Sequence, residues 1–136
     1  MEQVWDPLRK RNVAATPEET VRQWFISQLA DVFSVPAHMM MSEVGLKFGE
    51  KQYRADILVF DRNARPLAVV ECKRPEVELD SSVVEQAMRY NIVLGVDWLI
   101  LTNGRSTFIY KKQDGCFHPF ASIPDYGLML ECRGFH

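Results

Sequence analysis

The chain has no excess of either charge: 16 Lys and Arg against 18 Asp and Glu leave a formal net charge of -2. That excludes a general nucleic-acid coat protein, which needs a strong positive surplus to displace phosphate counterions. No stretch approaches the roughly 18 consecutive apolar residues of a membrane span, and the opening MEQVWDPLRK lacks the apolar centre of a signal peptide. No membrane association and a cytoplasmic location are therefore expected. Only Cys72, Cys116 and Cys132 carry thiols, an odd number without a C-x-x-C pair, so neither a disulfide framework nor a common zinc site is expected. Internal repeats, low-complexity tracts and linkers are missing. So is the G-x-x-x-x-G-K-[ST] phosphate loop, which leaves the chain without the means to drive an ATP-powered motor.

What is present suits one globular domain. The 136 residues are 47% hydrophobic and 25% charged, and a chain this long buries roughly two-thirds of its unfolded surface without disulfides or structural metal. One domain spanning 1–136 is expected, with a core at about 16–112. Basic groups for an anionic partner are confined to local clusters: Arg9, Lys10 and Arg11, or Lys111 and Lys112.

Thr16 can cap a helix over 16–33, with Pro17 at the favoured first position and Glu18 and Glu19 at its positive end. Val21, Phe25, Leu29 and Val32 form its apolar stripe. Strands are predicted at 43–48, 53–60 and 67–73, the last two joined as a hairpin by the 61–66 turn. Ser81 or Ser82 can open a second helix whose stripe is Val83, Ala87, Tyr90 and Leu94, ending near Gly95. The apolar run 97–101 suggests a buried central strand, and Asn103-Gly104 marks a turn before 107–110. The order αβββαββ implies an α/β sandwich with a central mixed β-sheet flanked by helices. The segments 1–15 and 117–136 carry little periodic signal.

Residues two apart on a strand share a face, so Glu71 and Lys73 project together while Val70 and Cys72 point away. A hairpin register brings Asp56 of the preceding strand beside Glu71. Two crowded carboxylates repel and raise each other's pKa unless a cation intervenes, so Asp56→Asn is expected to stabilise the metal-free protein. Magnesium, with manganese as a substitute, suits such hard oxygen donors and keeps waters that a phosphate can replace. Lys73 then orients or activates the attacking water, or neutralises charge on the phosphorus-bound oxygens. The bland alternative is three ordinary charges on a solvated sheet face. Against it stand Ala68-Val69-Val70 and Ile57-Leu58-Val59-Phe60, apolar on both faces, where a charge needs a reason.

Taken in order, these segments resemble the PD-(D/E)XK nucleases, and in particular the N-terminal nuclease domain of type I restriction endonuclease R subunits. The resemblance rests on Thr16-Pro17-Glu18-Glu19 with Val21-Arg22-Gln23, Arg54-Ala55-Asp56-Ile57, Glu71-Cys72-Lys73-Arg74-Pro75, Gln86 with Tyr90-Asn91, and Leu101-Thr102-Asn103-Gly104. It implies a restriction-endonuclease-like fold and metal-dependent hydrolysis of DNA phosphodiester bonds. Asp56, Glu71 and the Cys72 backbone carbonyl would ligate the metal, and Lys73 would assist the water. A helix-one glutamate would extend the site. Glu18 shares the helical face of Arg22 and Phe25, whereas Glu19 sits at the capping-box position, which leans the choice to Glu18.

Gln86 and Tyr90 lie on one helical face and can reach the site or its DNA, although helix spacing alone would make Tyr90 a core residue. Arg22 is a further candidate for substrate contact, or for pairing with a site carboxylate. The partners implied are DNA, a translocase or modification subunit, and a second copy of the chain. The competing reading is a DNA-binding or assembly module with little activity of its own. Cys116 and His118 with Cys132 and His136 fit no common zinc spacing, His38 has no nucleophile to serve, and Trp5, Trp24 and Trp98 read as packing residues.

Overall fold

The computed structural model describes residues 2–134. Its centre is a six-stranded mixed sheet in the order β3-β4-β5-β6-β7-β8, made of β3 (Met40–Phe48), β4 (Lys51–Phe60), β5 (Pro66–Cys72), β6 (Trp98–Thr102), β7 (Thr107–Gln113) and β8 (Cys116–Pro119). The β5–β6 pair is parallel and every other neighbour in this sheet is antiparallel. That parallel step requires a crossover, and α2 (Ser81–Asn91) with a 3-10 turn at Ile92–Leu94 supplies it. All five β6 residues are buried, as a strand covered on both faces demands.

Helices cover both sides. Val21, Phe25 and Leu29 of α1 (Pro17–Asp31) pack with Met129 and Leu130 of α3 (Tyr126–Cys132) on Ile57, Val70 and Ile100. Ala87 of α2, with Val83, Met88 and Tyr90, packs on Leu58, Val69 and Leu99. A two-stranded hairpin, β1 (Gln3–Asp6) and β2 (Arg11–Ala14), precedes α1. The α/β sandwich and the αβββαββ core order are thus present, and the poorly patterned ends contribute β1, β2, β8 and α3. Among the described residues no helix is long and apolar enough to cross a membrane.

Local chemistry accounts for the boundaries. Thr16 Oγ1 accepts the Glu19 N–H at 3.1 Å. The α2 cap is Asp80, which accepts the Val83 N–H at 3.0 Å, and not Ser81 or Ser82. Val32 falls at the α1 C-cap and is exposed, so the apolar stripe ends at Leu29. Trp98 is fully buried, whereas Trp5 and Trp24 leave 55% and 40% of their surface exposed. His38 is exposed in a 3-10 turn. Cys116 and Cys132 are free and exposed, and His136 lies outside the described residues.

The β3–β4 pair turns over at one step. Ile57 and Val59 belong to the core under α1, yet Ala55 and Tyr53, of the same alternation, belong to the core under α2. Met40 and Val44 divide the same way across β3. Alternation along an unbroken strand would keep each set on one face. The change falls between the pairs Ser42–Ile57 and Val44–Ala55, at Glu43 and Asp56. Glu43 there adopts a φ of 52°, the left-handed region that a side chain normally avoids.

Candidate active site

Asp56 therefore stands where groups from both helical layers can reach the same place. A cavity of about 300 Å³ is lined by Glu18 of α1, Arg54 and Asp56 of β4, Glu71 and Cys72 of β5, Lys73 just beyond it, and Gln86 and Tyr90 of α2. The β4–β5 register pairs Ile57 with Val70, which sets Asp56 and Glu71 at the next step. Beyond Cys72 the Lys73 N–H donates to the Thr102 carbonyl at 2.8 Å, so the end of the E-x-K segment is still tied to β6.

Each acid has its own partners. Asp56 Oδ2 accepts the Cys72 N–H at 2.7 Å, and Oδ1 accepts from Arg22 at 2.9 Å. Glu71 Oε1 accepts from Asn91 at 3.1 Å, and Oε2 lies 3.2 Å from Lys73 Nζ. The cations that separate the two carboxylates are thus side chains of the protein, and the expected stabilisation by Asp56→Asn does not follow, because that change would discard half of a buried ion pair. Cys72 presents its backbone to the cavity while its thiol lies in the core, where burial pushes the thiol well above its ordinary range. Gln86 is exposed on the cavity wall. Tyr90 lines the same wall, but its hydroxyl accepts the Arg54 N–H at 2.9 Å and its ring lies 5.2 Å from that of Tyr53, so it braces the wall.

Arg22 is the centre of the charge network, and its side chain is only 4% exposed. Nη1 pairs with Glu19 at 2.7 Å, and Nη2 reaches Glu43 at 2.7 Å, Asp56 at 2.9 Å and Glu18 at 3.3 Å. Burial alone would lower its pKa; the hydrogen bond and charge of Asp56, with Glu19 and Glu43, hold it far above the ordinary value. Of the two expectations for Arg22, pairing with a site carboxylate is the one this geometry matches. Its Nε is buried without a partner.

Glu19 does not line the carboxylate cavity. It is buried, bonded to Arg9 at 2.6 Å and to Gln23 at 3.1 Å as well as to Arg22. Burial would raise its pKa, but these donors hold it below the usual range. Arg9 in turn pairs with Asp6, which is fully buried. A line of charges therefore runs from the N-terminal hairpin through Arg9, Glu19 and Arg22 to Asp56. Glu18 is the helix-one acid on the cavity. Burial, and after it the charge of Asp56, raise its pKa, while Arg22 and Lys73 work against the rise.

Sequence pattern alone does not reveal Glu43, which bridges Arg22 at 2.7 Å and Arg54 at 3.0 Å. The signal was present only as an acid inside an otherwise half-apolar strand. The donor set facing the cavity is oxygen from carboxylates and backbone, with no imidazole or accessible thiol, and this suits a hard dication. Among the described residues no three acidic, His or Cys side chains converge as a ready metal cluster.

The fold is that of the PD-(D/E)XK nucleases, and the cavity groups stand where the resemblance expected them. The chain belongs to the family of the type I restriction enzyme R protein N terminus, whose profile matches residues 17–124. It is similar to the fragment structure of a candidate HsdR subunit of a type I restriction enzyme from Vibrio vulnificus, with a TM-score of 0.62 at 20% identity over 88% of this chain and 25% of that one. A candidate nuclease of the DUF820 group from Anabaena variabilis shares the fold with a TM-score of 0.54 at 16% identity, covering 90% of this chain and 79% of that one. The DrdV–DNA complex contains a similar region, with a TM-score of 0.52 at 20% identity over 90% of this chain and 12% of DrdV. This chain thus spans a quarter of the Vibrio fragment and a smaller part of DrdV. No curated protein matches it.

Proposed function

We propose that the chain is a nuclease domain that hydrolyses DNA phosphodiester bonds with magnesium, or manganese in its place. The observation that carries this reading is the one cavity shared by Glu18, Asp56, Glu71, Lys73 and Gln86, drawn from both helical layers and both strands of the hairpin. Asp56 and Glu71, with the Cys72 carbonyl and Glu18, are the groups that would hold the dication. When bound, such an ion polarises the phosphoryl oxygens and makes a water more acidic.

The remaining work falls to the chain's own residues. Lys73, 3.2 Å from Glu71, sets a positive charge where negative charge builds on the phosphate oxygens. Gln86 offers a free amide to a phosphate oxygen or to the attacking water. Arg22 and Asn91 fix the two carboxylates before substrate arrives. DNA is the polymer favoured by the family relationship and by the shared fold of the DrdV–DNA complex. A translocase or modification subunit is the partner that the same relationship favours.

A second reading has one observation in its favour: Arg22 occupies Asp56 Oδ1, which suits a module that binds DNA and cuts poorly. Incubating the purified chain with supercoiled, linear and single-stranded DNA, with magnesium or manganese against EDTA, separates the two. Cleavage that EDTA stops and that Lys73→Ala slows by about 10²–10³-fold is expected. Binding with no cleavage under any metal would favour the module.

A further inference from the structure

Three cavities meet at the start of α1. The carboxylate cavity and a larger one of about 710 Å³ share Glu18, and the larger one shares Pro17 with an apolar cleft of about 510 Å³. In the middle cavity Arg9, Arg22, Glu19 and Glu43 are tied to one another or to the site. The basic groups left for solvent are Arg11 of β2, which is exposed, and Arg74, just past the E-x-K segment. Arg74 is 60% exposed and pairs with Glu76, itself 61% exposed, the sort of surface pair a phosphate displaces readily. No charged side chain lines the apolar cleft, where Trp24 stands with Pro17, Val21 and Pro75. Trp24 packs edge-on against Phe25, with ring centroids 5.7 Å apart, and still leaves 40% of its surface open.

We propose that this run of cavities is the track for one nucleic-acid strand leaving the cut, with phosphates at Arg11 and Arg74 and an unpaired base stacked on Trp24. The inference rests on the nuclease reading of the carboxylate cavity and adds the substrate form. Cations alone would attract any polyanion. Cations followed by a flat aromatic in an uncharged cleft suit a ligand that joins anionic groups to flat apolar ones, as a single strand does. A base inside a duplex is already covered by its neighbours. The substrate therefore carries an unpaired region beside the cut: a single strand, a flap or a frayed end.

The test is fluorescence-anisotropy binding of a labelled 15-nucleotide strand, on the order of one nucleic-acid site size, and of its duplex, to the full chain in EDTA. The strand is expected to bind more tightly than the duplex. Trp24→Ala should weaken strand binding by about 5- to 150-fold, converting the usual value of a stacked base, while Trp24→Phe keeps most of it. Arg11→Ala and Arg74→Ala should each flatten the salt dependence by about 0.7 in log–log slope, and Trp24→Ala should leave that slope alone.

Strand binding changed less than twofold by a folded Trp24→Ala protein, or duplex bound as tightly as strand, overturns the proposal and leaves the cleft to a protein partner. Because binding is read without metal, it is independent of whether the chain cuts. Absent cleavage with intact Trp24-dependent binding would fall on the nuclease reading alone.

Discussion

Replacing Arg22 with Leu removes the one guanidinium that faces Glu18, Glu19, Glu43 and Asp56. Deleting one partner of a buried ion pair costs about 3–5 kcal/mol, because the other charge stays buried and uncompensated. Here the loss should sit near the lower end. Glu19 keeps Arg9 and Gln23, Asp56 keeps the Cys72 N–H, and Glu43 keeps Arg54. At about 3–5 °C per kcal/mol for a domain near this size, the melting temperature at pH 7 should fall by roughly 10–15 °C.

The pH dependence of that deficit has a definite sign. Glu19 has a lowered pKa, so the stability it gains from its partners is present above its unfolded value and lost as pH falls through its folded one. Glu18 has a raised pKa; burial is the main cause, and Arg22 works against it, so without Arg22 this acid costs still more once ionised. The gap between wild type and variant should therefore narrow as pH falls toward about 4. Arg22→Lys keeps a charge but lacks the fork that spans these acids, and should fall between the two. Scanning calorimetry at pH 7 and pH 4 is the assay. A melting point within 3 °C of wild type at pH 7, or a deficit that does not shrink on acidification, would refute the role given to Arg22, each threshold being about the effect of 1 kcal/mol.

Lys73→Ala should cut the cleavage rate by about 10²–10³-fold, the usual value of one charge-stabilising group, with the melting point nearly unmoved because Lys73 is 36% exposed; wild-type rates would remove Lys73 from the mechanism. Asp56→Asn should lower the melting temperature of the metal-free protein through the lost Arg22 pair and abolish any metal-induced shift, whereas wild type at about 100 times the metal's dissociation constant should gain roughly 2.7 kcal/mol. A stabilised Asp56→Asn protein would restore repulsion as the dominant effect. Asp6 is buried; that alone would raise its pKa, but Arg9, two backbone N–H groups and Ser42 hold it below the usual range. Its contribution is present above its unfolded pKa and lost as pH falls through the folded one. Asp6→Asn should accordingly be less stable than wild type at pH 7, with the gap narrowing as pH falls below about 4, by urea denaturation at each pH.

The elements legible in the sequence were those whose side chains answer to a local rule. Thr16-Pro17 set the start of α1, the doubly apolar runs marked β4, β5 and β6 as strands with both faces covered, and Asn103 closed its turn by accepting the N–H groups of Arg105 and Ser106 at 2.8 Å. The spacing of Glu71 and Lys73 and the hairpin before them predicted a shared cavity because strand alternation and hairpin register are short-range geometry. The illegible features depend on three-dimensional charge. Glu18 and Glu19 are adjacent in the first turn of α1 and both reach Arg22; what draws Glu19 away from the cavity is Arg9, which comes from a hairpin with little periodic signal of its own. Trp24 read as core because nothing in its neighbours says that α1 turns that position outward beside Pro75.

Glu43 shows why the site falls where it does. A regular β3–β4 ribbon would hold alternate residues on one side throughout, so an aspartate in β4 could serve the α1 layer or the α2 layer but not both. The reversal at Glu43 and Asp56 removes that restriction, and the cost is a side-chain-bearing residue held at a φ of 52°, about 1–2 kcal/mol for a non-glycine in this region. Glu43 is held there by Arg22 on one oxygen and Arg54 on the other. The same guanidinium that fixes Asp56 thus also fixes the backbone distortion that exposes Asp56 to both layers. Glu43→Gly would relieve the backbone but release Arg22, and Glu43→Gln would keep the shape and lose only the charge. If the distortion is what serves the site, cleavage should survive Glu43→Gly, which holds this φ without strain, at least as well as Glu43→Gln, which keeps the strain and loses the ion pairs that offset it. An equal loss of cleavage in both variants, measured on the same DNA with both proteins folded, would assign Glu43 to charge balance alone.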